Sequence, residues 1–213
     1  MPLAARNKYS YWPGYQAVLT FAVAVFFLLI TPGPGVLTTA GVGAAFGRKA
    51  GLQYVSGLCV GNALVGLAVV TGLAAIVFAL PMVRNILLVM SALYLSYLAF
   101  RIATAGSKIS FIEADSQPGF FSGITLQAIN PKAYAVNTAL FSGFAILPDA
   151  LLMETVIKFG ILNAIWIPIH LLWLTAGIYV ERMDLAPHIQ FRVNILMACS
   201  LVVVVILAIY SLL

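Results

Sequence analysis

Long apolar stretches, separated by short polar breaks, make up most of this chain. Two of them, 9–47 and 50–83, contain no Asp, Glu, Lys or Arg, and each is longer than the roughly 20 apolar residues that cross a bilayer as a helix. The breaks leave six apolar segments, which run approximately 15–46, 51–80, 83–104, 119–147, 150–180 and 192–213. These segments are too long and too uniformly apolar for barrel strands, so the pattern predicts six transmembrane helices.

Composition agrees with a chain that lies mostly in lipid. Of its 213 residues, 63% are hydrophobic and 8% are charged, whereas a soluble domain has roughly 45–50% and 25%. This balance excludes an intrinsically disordered protein. The basic residues lie scattered between apolar segments and form no face that would bind a nucleic acid. The first segment is predicted to be a retained span, because no small-residue cleavage site follows it.

The two halves of the chain resemble each other around one proline each. Residues 30–40 and 129–139 align without gaps and share Ile, Pro, Thr and Ala. Three spans per half is an odd number, so the second half would enter the bilayer from the opposite side, as in the inverted repeats of secondary transporters. We therefore predict one all-α transmembrane domain, 1–213, with two inverted three-helix repeats at about 1–105 and 119–213 joined by the loop 106–118.

Basic residues in short loops predict the orientation of the chain. Six of them follow spans one, three and five, and three or four lie on the other side. The positive-inside rule then favours both termini outside the cytoplasm, although the basic N-terminal tail argues for the opposite orientation. The predicted location is the plasma membrane, which in a bacterium is the inner membrane.

The motif Thr31-Pro32-Gly33-Pro34-Gly35 predicts a broken helix inside the first span. A continuous helix here would cost about 6 kcal/mol, because each proline removes an amide donor and clashes with the preceding turn. In hydrocarbon a break persists only where it packs in protein or lines a polar cavity. The alternative is a structural kink that binds nothing. A second break at the matched motif Asn130-Pro131-Lys132 favours a substrate site between two broken helices.

Lys132 is the residue that best indicates the chemistry of this site. It lies between charge-free stretches, and a lysine at the centre of a span costs ~2.5–3.5 kcal/mol, so it is expected to face the protein interior. The alternative is that its side chain snorkels to an interface. Its ammonium, close to a helix N-terminus, suits a carboxylate. The carbonyls freed at 29–31 and 128–130 suit an ammonium, and a zwitterionic amino acid has both groups.

Four further polar residues inside spans are candidates. Asn62 and Asn137 are included in the predicted substrate site, although interhelical hydrogen bonds are the commoner role of such amides. Glu154 and His170 are candidate proton carriers. The competing interpretations are an i,i+4 pair of Glu154 with Lys158 and a neutral, hydrogen-bonded His170. Two histidines without an acidic cluster predict no metal site, and no catalytic residue or cofactor motif is predicted.

At these motifs the chain resembles the LysE-type translocators, a family that includes lysine and threonine/homoserine exporters. The likeness covers nearly the whole chain, although Ser91, Ala99 and the glycine-free 191–213 depart from the usual glycines of the family. It implies six helices in two inverted halves and proton-driven export of amino acids or their derivatives. The motifs that carry it are Thr31–Gly35, Gly47–Leu52 with Gly57 and Gly61, Tyr94–Leu98 and Asn130–Lys132.

We therefore expect an alternating-access exporter of amino acids or related small zwitterions, with protons as the coupling ion and no cofactor. Helix glycines spaced four apart predict association into homo-oligomers. One alternative is a membrane subunit that transports nothing. Another is an intramembrane hydrolase that uses Ser142 with His170, although no GxSxG turn is present.

Overall fold

All the regular elements that the structure describes are α-helices. The computed structural model describes residues 13–31, 33–73, 79–104, 117–183 and 186–210, so Pro32 and most of the predicted loop 106–118 lie outside the described residues. The helices are α1 Pro13–Ile30, α2 Pro34–Val70, α3 Pro81–Thr104, α4 Phe120–Ile129, α5 Pro131–Gly143, α6 Leu151–Arg182 and α7 Pro187–Tyr210.

Prolines mark where most of these helices begin. The helices α1, α2, α3, α5 and α7 each start at a proline. The first turn of a helix leaves its amide groups without helical partners, so a proline costs little there and its fixed φ suits the helix. Pro34 and Pro131 therefore begin new helices directly after the interruptions that the sequence predicts.

Helix α2 is one long helix with a sharp kink. Gly47 has φ 74° and ψ −171°, a conformation that glycine adopts readily and other residues rarely adopt. The predicted polar break at 47–50 is thus a single-residue kink rather than a loop. The first predicted segment, 15–46, consists of α1 and the first part of α2, and the second predicted segment is the part of α2 after the kink.

The predicted ends of two segments compare differently with the helices. Helix α2 ends at Val70, where the Thr71 and Gly72 amides bond back to its last turn and Gly72 adopts φ 75°. Residues 74–78 lie outside the described residues, so the expected end of the second segment near residue 80 stays a prediction. The last segment was expected to begin at Arg192, but α7 begins at Pro187. Arg192 is exposed within this helix, so its charge did not require a helix end.

Helix α2 packs against helices from the second half of the chain. Its first part contacts α6, where a Cβ on Gly177 would overlap the backbone of Ala40. Its second part contacts α4, where a Cβ on Gly57 would overlap the backbone of Phe120 and one on Gly123 would overlap that of Tyr54. Helix α3 packs against α7. Close backbone contact at small residues is the usual packing of membrane helices.

The outer surface of the helices is apolar. Large hydrophobic side chains are exposed on α1, α3, α4, α6 and α7, including Phe27, Leu93, Phe121, Leu152 and Leu196. Helices α2 and α6 are each long enough to cross a membrane, with mean hydropathies of 1.6 and 1.7. A soluble protein does not expose apolar surface on this scale, so the chain is an integral membrane protein.

Candidate functional site

Both predicted breaks are present as interruptions between consecutive helices. Helix α1 ends at Ile30, and α2 starts at Pro34 after Gly33, whose backbone is extended. Helix α4 ends at Ile129, and Asn130, with φ −80° and ψ 106°, separates it from α5. The Asn130 side chain caps α5 by accepting a 3.1 Å hydrogen bond from the Lys132 amide, which fixes the start of the new helix.

A hydrogen bond from Lys132 joins the two interruptions. Its Nζ donates to the backbone carbonyl of Thr31, although the two residues are 101 positions apart in the chain. The side chain passes directly over Gly33, where a Cβ would lie 2.8 Å from Lys132 Cδ and 3.2 Å from its Nζ. A side chain at position 33 would therefore push the Lys132 side chain away from this position. The Thr31 hydroxyl instead donates to Phe27 O, so Thr31 contributes its carbonyl to the site.

Buried amide side chains surround this contact. Asn130 Nδ2 donates to Gln127 Oε1 at 2.9 Å, and Asn137 Nδ2 lies 3.1 Å from Asn62 Oδ1 and 2.8 Å from Ala133 O. All four amide residues are buried. Asn62 and Asn137 thus form the interhelical hydrogen bond that the sequence left open as their alternative role.

A small cavity lies between the two interruptions. Its volume is about 40 Å³, which suffices for a few water molecules and not for a free amino acid. Its polar lining residues are Thr31, Asn62, Gln127, Asn130, Lys132 and His170, and its apolar lining residues are Leu29, Val36, Ala133, Val136 and Trp166. Gly33, Pro34 and Gly35 complete the lining. The predicted residues Pro131 and Asn137 are not among the lining residues.

His170 lies in this cavity with Trp166 stacked on its ring. The two ring centroids are 3.4 Å apart, and the planes differ by 15°. His170 Nδ1 lies 2.9 Å from Trp166 O, and because a carbonyl only accepts, Nδ1 is the donor and a neutral ring keeps Nε2 as an acceptor. Trp166 was not predicted from the sequence. Its position four residues before His170, on the same helix face, was the available signal.

Glu154 lies far from the cavity, near the start of α6. It pairs with Lys158 at 2.6 Å, as in the alternative interpretation of these residues. Its other oxygen accepts hydrogen bonds from the amides of Ile146 and Leu147, while Lys158 donates to the carbonyls of Phe141 and Phe144. The pair therefore ties the end of α5 to α6. Along the helix, Glu154 and His170 are separated by about 24 Å.

A second, larger cavity lies at the kink of α2. It measures about 620 Å³, and its lining includes Gly47, Arg48, Leu174, Ile178 and Arg182. Leu174 is buried one turn beyond His170 on α6, and it packs so closely that a Cβ on Gly43 would lie 2.7 Å from it. Leu174 therefore lines the larger cavity and lies one turn from His170, which lines the small one.

Ser142 and His170 do not form a nucleophile–base pair. The Ser142 hydroxyl donates to Thr138 O, and Ser142 is exposed near the end of α5, outside the lining of the cavity that holds His170. No group of three His, Cys, Asp or Glu residues suited to a metal ion occurs within the described ranges.

Paired helix interruptions around a buried polar site are typical of secondary transporters. A family model described as "LysE type translocator" matches residues 26–212. This match covers most of the chain, so the protein belongs to the LysE-type translocators. The resemblance seen in the motifs is thereby confirmed.

Several curated relatives are leucine efflux proteins. The one from Klebsiella pneumoniae is 26% identical over 136 residues, which is 62% of this chain and 64% of the relative. The one from Enterobacter sp. is 28% identical over 130 residues, 59% of this chain and 62% of the relative. For Salmonella typhimurium the identity is 28% over 140 residues, 63% of each chain. The chain thus spans less than two thirds of the length of these relatives. No solved structure matches it.

Proposed function

We propose that the protein exports amino acids or related small zwitterions across the plasma membrane, which is the inner membrane in a bacterium. The observation that carries the proposal is the meeting of the Lys132 ammonium and the Thr31 carbonyl in a small cavity between two interrupted helices. A zwitterion offers a carboxylate to the cation and an ammonium to the carbonyl. The family match and the leucine efflux relatives support export.

The apolar lining of the cavity favours a substrate with an apolar side chain. Leu29, Val36, Val136 and Trp166 line the cavity together with the polar groups, so an amino acid bound there would contact both charge and hydrocarbon. Binding sites of this kind use a few polar groups for orientation and apolar contacts for affinity. Leucine, the solute named for the relatives, fits this division.

Six spans in two inverted halves are the topology that we propose for the chain. In this topology α1 with the first part of α2 forms one span, and α4 with α5 forms its counterpart. The cross-packing supports it, since the first part of α2 contacts α6 while the second part contacts α4, and α3 contacts α7. The outward location of both termini and the formation of homo-oligomers stay predictions from the sequence.

Transport by alternating access requires the small cavity to open. At about 40 Å³ it does not hold an amino acid, so it must widen when substrate binds. On one side Leu174 lines the larger cavity with Arg48 and Arg182, and the predicted orientation places this cavity towards the cytoplasm. On the other side Phe21, Val25, Leu140 and Leu162 are buried together. Entry past Leu174 and exit past this second cluster would give export.

Protons are the coupling ion that we propose, with His170 as the carrier. His170 is the predicted carrier that lines the cavity. Glu154 pairs with Lys158 and accepts hydrogen bonds from two backbone amides. These contacts join the start of α6 to the end of α5, which suits a structural role. Protonation of His170 would add a second positive charge close to Lys132, which links the proton to the substrate carboxylate.

Efflux from loaded vesicles tests the proposed function. Proteoliposomes that hold labelled leucine are expected to release it faster than protein-free vesicles, and Lys132→Ala is expected to abolish the difference because the carboxylate loses its cation. Lys49→Ala is the matched control, since Lys49 is exposed on α2 and lines neither cavity. Release by Lys132→Ala at the wild-type rate, or no protein-dependent release of any amino acid, would contradict the proposal.

A further inference from the structure

The contact between Lys132 and Thr31 indicates how the site would hold a substrate. We infer that the Lys132 ammonium occupies the subsite of the substrate's own ammonium, and that a bound substrate displaces it towards the substrate carboxylate. The inference rests on the proposed function and deepens it. It assigns the Thr31 carbonyl as the ammonium subsite and gives Lys132 two alternating partners.

The Thr31 carbonyl has the right chemistry for an ammonium. Helix α1 ends at Ile30, so the carbonyl of Thr31 lies beyond the regular helix, at the interruption. A carbonyl accepts hydrogen bonds only, and an ammonium offers three donors and no acceptor. Lys132 Nζ is a primary ammonium on this carbonyl, which makes it a chemical stand-in for the ammonium of an amino acid.

Substrate and Lys132 cannot share the cavity as it stands. The cavity of about 40 Å³ has the Lys132 side chain as part of its lining, and the stem passes over Gly33 at closest approach. Entry of an amino acid therefore requires this side chain to move. The Lys132 backbone is fixed by the Asn130 cap at 3.1 Å, but the flexible four-carbon stem can rotate about it.

The exchange of partners gives the substrate-free carrier a satisfied site. A carbonyl freed inside a membrane span is costly without a hydrogen-bond partner, and so is a cation without an acceptor. In the substrate-free state Lys132 and Thr31 satisfy each other. With substrate bound, the carbonyl bonds the substrate ammonium and Lys132 bonds the carboxylate, so neither state leaves an orphaned group.

Two halves of the leucine molecule serve as probes for the test. Isoamylamine keeps the ammonium and the apolar chain, and isocaproate keeps the carboxylate and the apolar chain. Binding of each radiolabelled probe to the full chain in lipid nanodiscs is measured by equilibrium dialysis, with protein-free nanodiscs as the blank. In Lys132→Met the amine probe no longer competes with an internal ammonium, so its affinity is expected to rise about tenfold. The affinity of the carboxylate probe is expected to fall by a similar factor.

Gly33→Ala provides a second variant that keeps the cation. The new Cβ would lie 2.8 Å from Lys132 Cδ, so it displaces the stem from Thr31 without removing the charge. The affinity for isoamylamine is then expected to rise while that for isocaproate does not fall. Gly160→Ala is the control, because a Cβ at Gly160 meets nothing within 4 Å and Gly160 does not line the cavity. It is expected to leave the binding of both probes unchanged.

The direction of the two shifts decides the inference. If Lys132 has only a structural role, Lys132→Met weakens both probes together or changes neither, and either result overturns the inference. Failure of the wild-type protein to release amino acids from vesicles contradicts the proposed function instead. The opposite shifts of the two probes report on Lys132 and Thr31 whether or not leucine is the exported solute.

Discussion

At the scale of single residues, main-chain geometry gives the site its chemistry. Asn130 illustrates this, since one side chain performs two tasks. Its oxygen caps α5 through the Lys132 amide, and its Nδ2 satisfies Gln127. The start of α5 in turn determines where the Lys132 side chain leaves the backbone, so the position of the cation depends on a neighbouring amide.

Replacing Asn130 is expected to reduce both stability and transport. Asn130→Ala removes the cap, which costs about 1 kcal/mol, and leaves the buried Gln127 oxygen without this donor. Asn130→Ser keeps a capping oxygen and is the matched comparison. Thermal unfolding in detergent is expected to rank the proteins as wild type, Asn130→Ser, Asn130→Ala, with leucine efflux in the same order. Equal melting temperatures for the two variants would contradict the capping role.

Residues that are unusual inside a membrane helix could be recognised from the sequence. Two prolines and a lysine inside apolar spans violate ordinary membrane-helix rules, so Pro34, Pro131 and Lys132 were recognisable without a structure. Trp166 was missed because an aromatic residue in an apolar helix breaks no rule. The use of the Thr31 carbonyl by Lys132 was also out of reach, since a contact between residues 101 positions apart is set by tertiary packing.

At the scale of helices, glycine contacts set how closely α2 approaches its partners. Ala in place of Gly57 would put a Cβ into the Phe120 carbonyl of α4, and backbone atoms at such a contact cannot rotate away. By contrast, the surroundings of Gly160 in α6 are open. Two glycines with the same intrinsic helix preference therefore have opposite tolerance for a methyl group.

Gly57→Ala is expected to destabilise the protein by about 2 kcal/mol or more, because α2 and α4 must separate. Gly160→Ala is expected to be neutral or to stabilise by up to about 1 kcal/mol through helix propensity. Chemical unfolding followed by tryptophan fluorescence measures both changes. A Gly57→Ala protein as stable as Gly160→Ala would show that the two helices do not approach as closely as the structure places them.

Hydropathy predicted the apolar character of the helices better than their ends. The kink at Gly47 and the end of α2 at Val70 both depend on single glycines with positive φ, and hydropathy averages do not register backbone conformation. The i,i+4 spacing of Glu154 and Lys158 did indicate the pair. It gave no indication of the four backbone groups of 141–147 that the pair binds.

At the scale of the whole molecule, the proposed route runs from the larger cavity, which Leu174 lines, to the small cavity, which His170 lines one turn away on α6. Removing the Leu174 side chain is expected to connect the small cavity with the larger one. A cysteine placed at Val36, in the small cavity, should then react at least about tenfold faster with a water-soluble thiol reagent, in a background without Cys59 and Cys199. A cysteine at Leu52, in the larger cavity, is the control and should react equally with and without Leu174→Ala.

The side from which the reagent acts also tests the orientation of the chain. If the larger cavity faces the cytoplasm, inside-out membrane vesicles give the fast reaction at position 52 and right-side-out vesicles do not. The reverse result would place both termini in the cytoplasm, as the basic N-terminal tail suggests. An unchanged rate at position 36 would mean that Leu174 does not close the route.

Coupling to protons is a property of the whole cycle, and the structure separates its two predicted carriers by about 24 Å along α6. His170→Asn keeps an amide donor for Trp166 O but does not titrate, so leucine efflux down its gradient is expected to persist without acceleration by a proton gradient. His188→Asn, at an exposed position near the start of α7, should retain the acceleration.

The double variant Glu154→Gln/Lys158→Met removes both charges of the buried pair together, which avoids leaving one unpaired. It should retain the acceleration even if the protein is less stable. Loss of acceleration in the double variant, with retention in His170→Asn, would move proton coupling from the cavity to the end of α5.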